Sequence, residues 1–243
     1  ILFSLTSFHT AYNFIYTILQ TPLKHVGISL PSVLLYNFLA SFFWFFGING
    51  PSITNSVWQP IFFVSTQDNL KAFQNHASLP HIYTQPFIDL FTTYGGGGST
   101  LALLIVVFAI CKSKRLLELG KLAILPGIFG INEPVIFGLP VVLNPVIVIP
   151  FILCPVLNTL ISGIVMNLGW VAWTNGVQLP CTTPPIISGW LATGSWTGSA
   201  LQIVEIILNI LIYYPFVKML DKQYLKEEKA AAEKDLDIDF SEV

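Results

Sequence analysis

Long apolar runs dominate this chain, punctuated by short clusters of glycine, proline and basic residues. Residues 1 to 20 place Phe3, Phe8, Tyr12, Ile15 and Leu19 at helical spacing, diluted by His9, Asn13 and Gln20, which predicts a helix of amphipathic character. Val33 to Ile48 is an apolar and aromatic run. It ends at Gly47-Ile48-Asn49-Gly50-Pro51, where the glycines and the proline break a helix. Residues 65 to 90 are more polar, carry His76 and His81, and predict a connection outside the apolar layer or at its edge. After Gly95 to Gly98 and Ser99-Thr100, the run Leu101 to Ile110 stops at Lys112-Ser113-Lys114-Arg115.

Composition turns these runs into a membrane protein. Hydrophobic residues make up 53% and charged residues 10% of the chain, against roughly 25% charged in an ordinary soluble domain, and uncharged runs exceed the ~20 residues that cross a bilayer. The net charge of -2 belongs mostly to residues 218 to 243, so it points neither to nucleic acid nor to an acidic partner. Cys111, Cys154 and Cys181 are widely spaced and read as small apolar fillers, and His9, His25, His76 and His81 show no metal-ligand spacing. No metal or other cofactor is expected. The chain opens at Ile1 inside an apolar pattern, with no basic n-region or cleavage site. It reads as the C-terminal part of something longer, inserted through internal spans.

The basic clusters set a topology. Lys112 to Arg115 and Lys218, Lys222 and Lys226 both belong on the cytoplasmic side by the positive-inside tendency, which requires an even number of crossings between them. Prolines at 126, 134, 140, 145, 150, 155, 180, 184 and 185 are too many for uniform helices throughout that interval. The economical solution has two full crossings, about 146 to 170 and 199 to 217, with 122 to 140 and 180 to 197 as broken or re-entrant segments. The expected fold is therefore all-α and polytopic, with 218 to 243 a cytoplasmic helix that frays into an acidic tail. Irregular backbone at membrane depth survives where it is buried in protein or lines a wet cavity, and there transporters bind their cargo.

Glu133 is the one charged residue between Lys121 and Glu205. An intramembrane carboxylate is by default a functional-site hypothesis. If buried, it would hold its proton more tightly, toward the range where a base works at neutral pH.

Four ordered stretches carry a resemblance: Trp44-Phe-Phe-Gly-Ile-Asn-Gly50, Gly95 to Leu103, Gly127 to Pro145 around Gly130-Ile-Asn-Glu-Pro134, and Thr182-Thr-Pro-Pro-Ile-Ile-Ser-Gly189. From near residue 1 to about 217 the chain resembles the C-terminal, substrate-binding half of the membrane-embedded IIC component in the lactose/cellobiose/diacetylchitobiose branch of the phosphoenolpyruvate-dependent sugar phosphotransferase system. The resemblance implies a bacterial plasma-membrane permease that takes up a β-linked disaccharide while the phosphocysteine of a IIB protein phosphorylates it. The implied partners are an oligosaccharide, that phosphocarrier and the lipid bilayer, with a homodimer left open. Glu133 is the implied catalytic residue, and Asn49, Asn132, Glu133, Asn144, Thr182 and Thr183 the implied sugar contacts.

Two positions depart from the family pattern. Members typically read Gly-Ile-His-Gly where this chain has Gly47-Ile48-Asn49-Gly50. Asn49 can hydrogen-bond a sugar, but it has no accessible protonation equilibrium and cannot act as a base. It also suits a turn that needs positive φ. Cys181 stands where the family often has Trp, which removes an aromatic face. A truncated or decayed sugar-binding membrane protein without phosphoryl transfer is the alternative reading. Gly95 to Gly98 reads as a flexible turn at a helix entry, and Trp44, Trp58, Trp190 and Trp196 can stack on sugar or sit at the bilayer interface.

Overall fold

The computed structural model describes residues 29–139 and 141–241. The helix expected over residues 1 to 20, with His9 and His25, lies outside them. The described residues form helices and turns without strands.

Helix α1, Leu30–Phe45, opens with proline in its first turn and buries Val33, Tyr36, Asn37, Ala40, Ser41 and Trp44. These positions recur at three and four residues and make one face. Helix α2, Gly50–Gln74, packs back on α1 so closely that a side chain at Gly50 would overlap the Ala40 carbonyl. It runs through Pro60 and includes residues 65 to 74. The polar connection expected over 65 to 90 is thus largely folded: Ser65, Thr66 and Asn69 are buried in α2, and the short helix α3, Gln85–Phe91, buries most of its length. Internal partners explain the polarity. Asn69 donates to the carbonyls of His81 (2.7 Å) and Thr174 (2.8 Å), and Thr66 accepts from the N–H of Gln85 at 2.9 Å.

A glycine turn leads into α4, Thr100–Ile110, and Ser113 caps α5, Lys114–Ile128. Residues 122 to 140 are interrupted, as expected: α5 ends just after Pro126, a turn follows, and the short α6 covers Glu133–Gly138. Helix α7, Pro145–Asn167, packs on α1. The second interrupted segment holds α8, Ile187–Thr193, before α9, Trp196–Ser241.

Among the described residues two helices, α7 and the Trp196–Ala231 part of α9, are long and apolar enough to cross a bilayer. With 23 residues, α7 is about 35 Å long, enough for a hydrocarbon core of ~30 Å. Helix α9, at 46 residues, is about 69 Å long, so its charged end must leave the apolar layer. The two basic regions lie side by side. Asp221 accepts from the N–H groups of Lys112 (2.9 Å) and Ser113 (2.8 Å), and Glu228 accepts from the Ser113 hydroxyl at 2.7 Å.

Between the spanning helices runs a polar seam. Gln202, Glu205, Asn209 and Tyr213 fall on one face of α9 and are fully buried, opposite Asn158 and Ser162 of α7. Gln202, Glu205, Tyr213, Ser162 and the Asn158 amide have partners inside the protein, which offsets the cost of burying them, whereas the Asn209 side chain has none among the described residues.

A cavity where four loops meet

That seam holds the glycine loop before α4 and the break before α8. Tyr213 donates to the Gly98 carbonyl at 2.6 Å, and Asn158 donates to the Thr92 carbonyl and to Ser99, each at 3.1 Å. Glu205 accepts from Ser162 at 2.7 Å and from the Tyr94 hydroxyl, one residue before the glycines. On the other side, the Gln202 carbonyl oxygen accepts from the N–H groups of Ile186 (2.5 Å) and Gly189 (3.0 Å) while its amide donates to Leu90. These bonds hold Ile186 at φ 75°, a conformation rare for a β-branched residue.

Gly95 to Gly98 is consequently a packed loop, and the expectation of a free turn fails. Gly98 has φ 78°, and a side chain there would overlap the Phe151 ring. Added to Gly96, a Cβ would lie 2.6 Å from Cγ of Asn132, whose amide donates to the Gly97 carbonyl at 2.7 Å.

What these loops enclose is one open cavity of about 290 Å³. Tyr36, Asn37, Ser41 and Trp44 of α1 form one wall, continued by Asn49 and Asn55 at the start of α2. Asp89, Thr92, Thr93 and Gly95 to Gly97 form another, and Gly130, Asn132 and Glu133 a third. Cys181, Thr183, Pro185 and Ser188 close the set. All four stretches noted in the sequence contribute.

Of the six expected sugar contacts, Asn49, Asn132, Glu133 and Thr183 line this cavity. Asn144 and Thr182 do not. Asn144 instead caps α7, accepting from the N–H groups of Val146 (3.0 Å) and Ile147 (3.4 Å), and Thr182 is exposed outside the wall. Glu133 is exposed, because it opens α6 at the cavity instead of lying inside a span. The burial expected of it is absent. Asn49 is at φ -64°, so positive φ is not its reason for being there, and its side chain caps α2 by accepting from the Ser52 N–H at 3.1 Å. Cys111 and Cys154 are buried fillers, whereas Cys181 is exposed on the cavity wall. Trp58 donates to Ser32 at 3.0 Å, and Trp190 and Trp196 are exposed.

Sequence reasoning missed Asp89 and Glu205. Asp89 lies on α3, outside the spanning helices, and accepts from the Gln85 amide at 2.9 Å. Burial pushes its carboxyl up to about 6, against the opposing pull of that hydrogen bond. The signal for Glu205 was available as an intramembrane carboxylate in phase with Gln202, Asn209 and Tyr213.

Two membrane-length helices, one broken segment before the first and one between them, and a polar cavity at the breaks define a membrane-embedded transporter fold. Residues 1–155 match the model of the family described as "Phosphotransferase system, EIIC", and the chain belongs to that family, in its lactose/cellobiose/chitobiose branch. It is 42% identical to the lichenan permease IIC component of Bacillus subtilis over 92% of this chain and 50% of that protein. It is 42% identical to the cellobiose-specific EIIC component of Geobacillus stearothermophilus over 95% of this chain and 52% of that protein. The solved structure of ChbC, the IIC component of an N,N'-diacetylchitobiose-specific phosphotransferase system, superposes with a TM-score of 0.87 at 40% identity, covering 94% of this chain and 53% of that one. The chain spans about half the length of the relatives it matches.

Proposed function

We propose that the cavity binds a β-linked disaccharide and presents its 6-hydroxyl to the phosphocysteine of a IIB partner. The observation that carries this reading is the convergence of all four family stretches on one polar cavity with Glu133 exposed in its wall. In the transfer the sugar oxygen forms a bond to phosphorus, the S–P bond breaks and the electron pair stays on the cysteine thiolate. Glu133 takes the hydroxyl proton. Its exposure puts the carboxylate within reach of a bound sugar, and the loops supply orientation. Asn49, Asn132 and Thr183 offer neutral donors and acceptors that replace water around the other hydroxyls. Residues 1–217 act as the substrate-binding part of the membrane domain, with 218–243 on the cytoplasmic side beside Lys112 to Arg115.

Membrane vesicles holding this protein, supplied with phosphorylated IIB and labelled cellobiose, test the proposal. The expected product is sugar phosphate, formed only with IIB present. Sugar binding without phosphorylation, in vesicles whose IIB is shown to be active, would favour a permease that has lost the transfer step. Asn49, in place of the family imidazole, is the observation behind that second reading. For the topology, Lys114→Cys and Lys222→Cys should label from the same, cytoplasmic face.

A further inference from the structure

Two carboxylates, Asp89 and Glu133, stand on the cavity wall, and no Lys, Arg or His among the described residues joins them. The Glu133 side chain has no hydrogen bond or ion pair with any described residue, and Asp89 has its bond from Gln85. Apart from these two, the polar groups of the wall are uncharged. Trp44 stands in the same wall. It is 5% exposed, and its indole N–H lacks an acceptor among the described residues although the side chain lines the cavity. The indole nitrogen itself is closed off from the open space, as are the unpaired side-chain atoms of Asn158 and Asn209 in the seam, so the carboxylates alone set the charge of the wall.

We infer that Asp89 is a specificity-determining residue: together with Glu133 it makes the cavity a site for uncharged or amino sugars and excludes anionic ones, including the 6-phosphate that the proposed reaction produces. The inference rests on the cavity being a sugar site. A carboxylate accepts hydrogen bonds from sugar hydroxyls and attracts an ammonium group. A phosphoryl group brings acceptor oxygens and about -1.5 to -2 charge, and it meets two like charges with no cation in a partly desolvated space. The wall that holds the substrate therefore expels the product, which speeds its release.

The test is equilibrium binding to the detergent-purified protein with a panel: cellobiose, its 6-phosphate, the matching uronate, the deacetylated amino disaccharide, glucose, maltose, glucose 6-phosphate and maltose 6-phosphate. In the unmodified protein the anionic members should bind on the order of 10-fold to 100-fold more weakly than their neutral counterparts. Asp89→Asn, which keeps size and the bond from Gln85, should narrow that gap several-fold and weaken the amino disaccharide more than cellobiose; Glu133→Gln should narrow it as well. Equal affinity for neutral and anionic members in the unmodified protein would overturn the inference, as would an unchanged ratio in Asp89→Asn with neutral binding intact. The first result would follow if the N–H groups of Gly95 to Gly97 held the anion. Rejection of anions by a cavity that binds maltose and not cellobiose would sink the β-disaccharide reading and leave this inference standing. Cellobiose binding with phosphate tolerated would do the reverse.

Discussion

Glu133 and Glu205 are the two acids of the long apolar region, and they are opposites. Glu205 is fully buried in the seam between the spanning helices and accepts from Ser162 and Tyr94. Glu133 is exposed at a helix break and has no partner among the described residues. A carboxylate whose lone pairs are occupied by protein donors fixes structure, whereas one left free beside a cavity is available to a ligand. Glu205 holds Tyr94 and hence the glycine loop; Glu133 faces the space which that loop encloses. One acid builds the wall and the other works on what the wall contains.

The sharpest break of this contrast comes from Glu133→Gln. Phosphoryl transfer should fall by roughly 10²-fold to 10⁴-fold while sugar affinity drops modestly and the melting midpoint stays put. Equal small losses in binding and transfer would make Glu133 structural. Glu205→Ala should do the opposite. It strands two buried hydroxyls and costs about 2–5 kcal/mol of stability, read as a lower unfolding midpoint in detergent; a midpoint unchanged from wild type would show that the seam does not depend on this carboxylate.

Next in size is Asn49→His. It should raise transfer about tenfold, short of the full contribution of a lone positioned acid-base group because Glu133 already accepts the proton. Loss of the bond to the Ser52 N–H should lower stability by about 1 kcal/mol. Unchanged transfer with sugar binding intact would mean that the amide is no defect. The smallest effect belongs to Asn144→Ala, which should cost about 1 kcal/mol through the lost cap of α7 and leave sugar affinity unaltered. A clear loss of affinity in the folded variant would return Asn144 to the binding site.

Much of this contrast could be read along the chain, though not its sense. The rule that an intramembrane acid is costly applies to both glutamates. Glu133 drew attention because Gly130, Pro134 and its neighbours form a recognisable stretch. Glu205 was passed over although Gln202, Asn209 and Tyr213 repeat around it at helical spacing. Polarity also misled over residues 65 to 90, where Thr66, Asn69 and Thr84 are buried because each has a partner elsewhere in the fold. Asn144 and Thr182 were natural candidates by type and motif, but polarity alone does not say which groups a helix end consumes.

By itself the sequence determined the class, the two spans, the broken segments and the family, because hydrophobic run length, proline spacing and ordered motifs are properties of consecutive residues. Only the tertiary structure decided which carboxylate is buried and which is free. It brought Asp89 and Trp44 to the same wall as Asn132 and Glu133, and it assigned Asn144 to a helix cap. A cavity wall is assembled from side chains distant along the chain, and whether a polar group spends its hydrogen bonds on the protein or keeps them for a ligand depends on neighbours that no local pattern records.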